Sequence, residues 1–177
     1  MTLATVGERA GYSRGLATAR FGSKAKLLEA LVDEIVERWK IETALSDDNA
    51  PSGLEALRAA VTDIRDAFGR DPWSLSVMYA LFFEALKPTV PDLRERFVEF
   101  HRSFRSQLAS IIKMGIEDGS ITPGVEPEQQ ATAIIAQLRG IAYLWQLDPN
   151  GIDPVAVLTL FVEQVTRYLG RDQVATG

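Results

Sequence analysis

The sequence predicts an all-α protein. Three observations carry that reading: apolar residues recur at steps of three and four over long stretches, proline and glycine fall where helices start and stop, and no stretch alternates with period two for long enough to make a strand. The 177 residues suit one domain or a small module joined to a larger one, and 46% hydrophobic with 24% charged residues is the composition of a globular chain, not a disordered one. There is no cysteine and His101 is the single histidine, which excludes disulfide scaffolds, thiol nucleophiles, zinc-finger spacings and multi-histidine metal sites. No metal site and no cofactor is expected. The longest apolar run, Val77 to Phe83, is seven residues, too short for a bilayer, and no signal-like segment opens the chain. A cytoplasmic protein with no membrane partner is expected.

The first element has the punctuation of a helix-turn-helix. Thr2 can cap a short helix ending at Ala10, Gly11 is placed for a left-handed turn, Tyr12 can plug between two helices, and Ser13 can cap a second short helix. Phe21 would close that helix onto the core. Ser23 then caps a third, longer helix whose apolar residues Leu27, Leu28, Leu31, Ile35 and Trp39 keep helical spacing. Residues 1 to 26 hold five basic side chains, Arg9, Arg14, Arg20, Lys24 and Lys26, against Glu8 alone, a net charge of +4, while the remaining residues sum to −9. A basic head on an acidic body is the footprint of a phosphate-contacting surface.

Further along, Ser52 or nearby Asn49 can cap a helix from about Gly53 to Phe68, and Asp71-Pro72 opens another that runs to about Lys87, ahead of Pro88 and Pro91. From Pro91 the residues Leu93, Phe97, Phe100, Phe104, Leu108, Ile111 and Gly115 form one stripe, with Gly119 as its stop signal. Ser120 to Glu126 reads as a turn, and Pro127 sits at the first position of a helix reaching about Leu147. Asp148-Pro149-Asn150-Gly151 breaks that helix. Asp153-Pro154 supplies a carboxylate cap and a proline at N1 for the last one, to about Leu169.

The last two helices are apolar on more than one face. In the first of them Ala131, Ile134, Leu138, Ile141 and Trp145 make one stripe and Ala133, Ala136, Gly140 and Leu144 a second. In the other, Val155, Leu158, Val162, Val165 and Leu169 line one face, widened by Val157, Phe161 and Tyr168. A surface helix needs only one such stripe, so a homodimer interface is expected, with Ala133, Ala136, Gly140, Leu144, Leu158, Phe161 and Val165 in it.

The opening residues Val6, Ala10, Gly11, Ser13, Gly15, Phe21, Ser23, Lys24 and Leu27 fit a pattern that resembles the tetracycline-repressor (TetR) family of bacterial transcriptional regulators. Gly115-Ile-Glu-Asp-Gly-Ser-Ile, Pro127-Glu-Gln-Gln-Ala and Leu147-Asp-Pro are similar as well, so the resemblance spans nearly the whole chain. Departures are Gly7 for the usual alanine, Tyr12 for a small aliphatic, Thr18 for an aromatic and Arg20 for histidine. Thr2 matches the cap of the family's second helix. The family's first helix is therefore expected to be missing from the chain, and DNA binding by the chain as it stands is expected to be weak.

The resemblance implies a ligand-responsive regulator, a repressor released from its operator by a small hydrophobic effector, and not an enzyme. It implies residues 1–45 as a partial DNA-binding head with a connecting helix and residues 46–177 as the effector-binding and dimerisation domain. Arg14, Gly15, Thr18, Arg20 and Lys24 would meet double-stranded DNA at a palindromic operator. An effector cavity is expected among Trp73, Met78, Phe82, Phe83, His101, Phe104 and Tyr143, an aromatic set with one titratable group. A di-iron carboxylate enzyme is disfavoured, because it needs paired Glu-x-x-His helices and Glu99-Phe-His101 has the wrong spacing. No Gly-x-Ser-x-Gly elbow presents a nucleophile. The rival reading is a ligand-binding or interaction module of the same fold that no longer binds DNA.

Overall fold

The computed structural model describes residues 51–87 and 91–170, together with Gly22, Lys26, Ala30, Val32 and Asp33; the side chains of Trp73, Ser74 and Pro91 lie outside that description. The described residues form five α-helices: α1 (Gly53–Arg70), α2 (Pro72–Ala85), α3 (Pro91–Glu117), α4 (Pro127–Leu147) and α5 (Pro154–Leu169). Among them the one β feature is an isolated antiparallel bridge between Ile121 and Gly170. Contacts group the chain into two units, Met1–Lys40 with Ala80–Phe100, and Ile41–Tyr79 with His101–Gly177.

In the larger unit, α1 begins where its orphan N–H groups can all be answered. The Ser52 hydroxyl accepts from the Glu55 N–H, and the Glu55 carboxylate accepts from the Ser52 N–H, a reciprocal capping box. The next two donors are met from the far end of α3: Gly53 N–H donates to Asp118 Oδ2 at 2.7 Å and Leu54 N–H to Ser120 Oγ at 3.1 Å. Desolvation acts to raise the Asp118 carboxyl, but hydrogen bonds from the Ser120 hydroxyl and from the Gly53 and Ser120 N–H groups outweigh it and hold the group below its ordinary value.

That junction is tight enough to require glycine on both sides. A Cβ on Gly53 would stand 2.1 Å from the Gly115 nitrogen, and one on Gly115 would stand 2.5 Å from Ile121 Cδ1. Ile121 is fully buried, and its N–H donates to the Gly115 carbonyl at 2.7 Å. Gly119, with φ of 78°, takes the left-handed conformation that turns the chain back after α3. Thr122 N–H then donates to the Leu169 carbonyl at 2.8 Å, tying this turn to the end of α5.

The α1 and α5 helices pack antiparallel. Leu54 reaches Gly170 at one end, and Gly69 lies beside Val155 at the other. Their inner faces are Leu57, Ala60, Val61 and Phe68 on α1 and Leu158, Phe161, Val162, Val165 and Leu169 on α5, all buried. The α5 N-terminus is closed by Asp153, whose Oδ1 accepts from the Val155 and Ala156 N–H groups, with Pro154 at N1. The α4 helix packs on α5 and buries Ala131, Ile134, Leu138, Ile141 and Ala142. At its end Trp145 meets Phe68 edge to face, with ring centroids 5.5 Å apart.

The expected stripe of α3 is buried along its whole length, from Leu93 and Phe97 to Ile111 and Gly115. In the smaller unit Phe82 sets its ring against Phe97 at 4.6 Å and Phe100 at 6.3 Å, and Arg96 pairs with Asp33. No described helix is long and apolar enough to cross a membrane.

Candidate functional site

The expected DNA-contacting residues Arg14, Gly15, Thr18, Arg20 and Lys24 lie outside the described residues. The expected effector residues divide. Met78, His101, Phe104 and Tyr143 belong to the larger unit, Phe82 and Phe83 to the smaller, and the Trp73 side chain lies outside the description. Phe82 stacks within its own unit, as described above, and Phe83 is half exposed.

Within the larger unit, α2 and α4 meet through two polar contacts. Gln146 donates from Nε2 to Ser76 Oγ at 2.9 Å, and Arg139 donates from Nη1 to the Tyr79 hydroxyl at 3.0 Å. The spacing 76/79 on one helix and 146/139 on the other fixes an antiparallel register between them. The Arg139 guanidinium lies 5.5 Å from the Tyr79 ring centre and 6.0 Å from that of Phe104, within cation–π range of both. Tyr79 and Phe104 are buried, so the charge is held among apolar surroundings. His101, one turn before Phe104 on α3, feels that charge. Burial first, and the Arg139 cation second, push its imidazole down to about 4 from the ordinary 6.5, so it is neutral at physiological pH. Tyr143 stands one turn beyond Arg139 on α4 and is 44% exposed.

The sequence singles out His101 and Phe104, and the structure adds Arg139 and Tyr79 beside them. The available signal for Arg139 was its register: Arg139 and Gln146 are seven apart, two turns on one face, opposite Ser76 and Tyr79.

The residues expected at a dimer contact also separate. Ala133, Ala136, Gly140 and Leu144 lie exposed along α4, and Leu144 is 51% accessible. Leu158, Phe161 and Val165 instead lie on the buried inner face of α5, because that face covers α1 of the same protomer. The outer apolar residues of α5 are Val157, Leu160 and Tyr168, with Leu160 at 53% and Tyr168 at 73% exposure. Leu160 lies between Val157 and Tyr168 on that side of α5 and is not among the residues that the stripe from Val155 to Leu169 marks. Among the described residues no group of three or more acidic or histidine side chains is placed to hold a metal ion.

Residues 53–170 match the family model of the C-terminal region of BetI-type transcriptional repressors. The chain belongs to the TetR family of transcriptional regulators. This TetR-family chain is 28% identical over 172 residues to the HTH-type transcriptional regulator BetI 1 of Chromohalobacter salexigens, covering 96% of this chain and 81% of that one. It is 23% identical over 158 residues to the regulator TtgR of Pseudomonas putida, covering 86% and 73%. Among solved structures, SmeT of Stenotrophomonas maltophilia in complex with triclosan superposes with a TM-score of 0.78 at 20% identity, covering 99% of this chain and 85% of that one. The all-helical fold is thus that of the TetR-family regulators.

Proposed function

We propose that this TetR-family chain is a homodimeric repressor that binds a palindromic operator in double-stranded DNA and is released by a small, largely apolar effector. The family match over residues 53–170 carries the reading. Gly140 supports its dimeric part. A Cβ at Gly140 would meet nothing within 4 Å, so the protomer's own packing does not need glycine there. Glycine in a helix interior costs about 1 kcal/mol relative to alanine, and close approach of a partner helix along Ala133, Ala136, Gly140 and Leu144 would offset that cost.

The effector site of this reading lies in the larger unit, around Met78, Tyr79, His101, Phe104, Arg139 and Tyr143. The triclosan bound by SmeT, an apolar aromatic molecule, supports an effector of that general kind. The effector acts only through its difference in affinity for DNA-competent and DNA-incompetent states. On the DNA side, Arg14, Thr18 and Arg20 face the duplex, Gly15 permits close approach, and Lys24 meets phosphate.

Fluorescence anisotropy on DNA from upstream of the gene, compared with scrambled DNA across a salt series, tests the reading. Selective binding with a steep salt slope is expected, and Lys24→Ala should reduce that slope by about one. Equal affinity for both DNAs would replace the repressor reading with that of a ligand-binding module.

A further inference from the structure

We infer that two copies of this chain meet through α4 packed antiparallel on itself, with the two-fold axis at Gly140 and with Leu144 and Leu147 seated on the partner's Ala136 and the partner's Ala133. The inference rests on the dimeric reading above and gives that interface its helix, direction and register.

The outer face of α4 is symmetric in spacing and asymmetric in size. Ala133, Ala136, Gly140, Leu144 and Leu147 are all exposed, and they place one residue four and one residue seven positions to either side of Gly140. At 3.6 residues per turn all five fall within about 40° of Gly140 around the helix. The two before it are alanines and the two after it are leucines. A two-fold axis through Gly140, perpendicular to the helix, carries position 136 onto 144 and 133 onto 147. The small half of one helix then faces the large half of the other, and each leucine fills the hollow over an alanine. A parallel pair would set leucine against leucine and leave voids between the alanines, which close packing disfavours. Nothing in the protomer lies within 4 Å of a Cβ built at Gly140, so the space at the axis is open to the second backbone.

Charge and area agree with a second copy as the occupant. From Gln129 to Leu147 the helix carries one charged side chain, Arg139, and that one turns inward to the buried Tyr79. A self-pairing therefore brings no like charges together. The exposed side of α3 is different, with Arg94, Glu95, Glu99, Arg102 and Arg105 in little more than three turns. With Val157, Leu160 and Tyr168 of α5, which packs on α4, the exposed leucines leave on the order of 500 Å² in water, more than half of the roughly 800 Å² that each partner of a standard interface buries. Ala133 and Ala136 add to it.

The test is disulfide trapping in the full chain, which has no cysteine of its own, so that introduced thiols are the only ones present. In the inferred register the two copies of position 136 stand about 12 Å apart along the helices, as do the two copies of position 144, beyond the roughly 7 Å a disulfide can bridge. Ala136→Cys and Leu144→Cys should each remain unlinked on mild oxidation, and the double variant carrying both should run as a covalent dimer on a non-reducing gel. The two positions are equally far apart within one helix, so the double variant cannot link internally. Ala133→Cys with Leu147→Cys should behave in the same way. A size swap reads the same register without oxidation: Ala136→Leu should weaken the dimer at least about tenfold in sedimentation, and adding Leu144→Ala should restore most of the loss. All these positions are exposed, and circular dichroism checks that each variant is helical. Linking of the single variants would show a parallel pair, and absence of linking in both double variants would show that α4 meets another surface; either overturns the inference, as does a swap that restores nothing. A wild-type chain that sediments as a dimer in those cases keeps the dimeric reading and loses only the register. A monomeric wild type would overturn both.

Discussion

Gly53 and Gly140 are both helical glycines, and their surroundings predict opposite outcomes for the same substitution. Gly53→Ala drives a methyl into the backbone at Gly115, a contact no side-chain rotation can relieve, and should destabilise the protomer by about 3 kcal/mol in urea unfolding. Gly140→Ala meets open space and should stabilise the protomer by up to about 1 kcal/mol while weakening the proposed dimer. His101 carries a second expectation at this scale. Its folded pKa of about 4 lies below the ordinary 6.5, so between those values the unfolded chain binds more protons. Stability should therefore fall as pH drops through that window, and His101→Gln should flatten the dependence in a series of unfolding curves. Asp118 works in the same direction at lower pH. Its lowered carboxyl pKa means that its contribution to capping α1 is present above the ordinary carboxylate range and is lost as pH falls through the folded value.

The helices themselves were legible in the sequence because each carries its own start and stop. Ser52 or nearby Asn49, Pro127, and Asp153 with Pro154 mark N-termini that the structure places within a few residues, with Ser52 as the cap of α1 and Glu55 completing it. The stripe from Leu93 to Gly115 was legible for the same reason, since burial at steps of three and four is a local pattern. Face assignment was harder where a helix is apolar on two sides. Periodicity shows that α5 has two apolar faces but cannot say which covers α1, so Leu158, Phe161 and Val165 were expected outside and lie inside. Long-range polar contacts were not legible at all: the Asp118 and Ser120 cap on α1 and the Arg139–Tyr79 bond join positions 60 or more residues apart. The two faces of α5 give distinct mutational outcomes. Leu158→Ala should cost the protomer about 2–5 kcal/mol in chemical unfolding. Leu160→Glu should leave the protomer folded, and a loss of fold comparable to that of Leu158→Ala would show that Leu160 is part of the core.

At the scale of the whole molecule, regulation of a palindromic site requires two DNA heads held in one register, and the exposed stripes of α4 and α5 are the surfaces that would join two copies. Leu144, Leu147 and Leu160 are each more than half exposed, together an apolar area that a lone protomer leaves in water. Burying them against a symmetry mate removes that cost, and a carboxylate introduced at Gly140 would be buried unpaired at the contact. The direct measurement is sedimentation equilibrium of the wild-type chain and Gly140→Glu at micromolar concentration, with circular dichroism to confirm that both are helical. Wild type should sediment as a dimer and Gly140→Glu as a folded monomer. A wild-type chain that stays monomeric, or a Gly140→Glu variant that dimerises as tightly as wild type, would contradict the account.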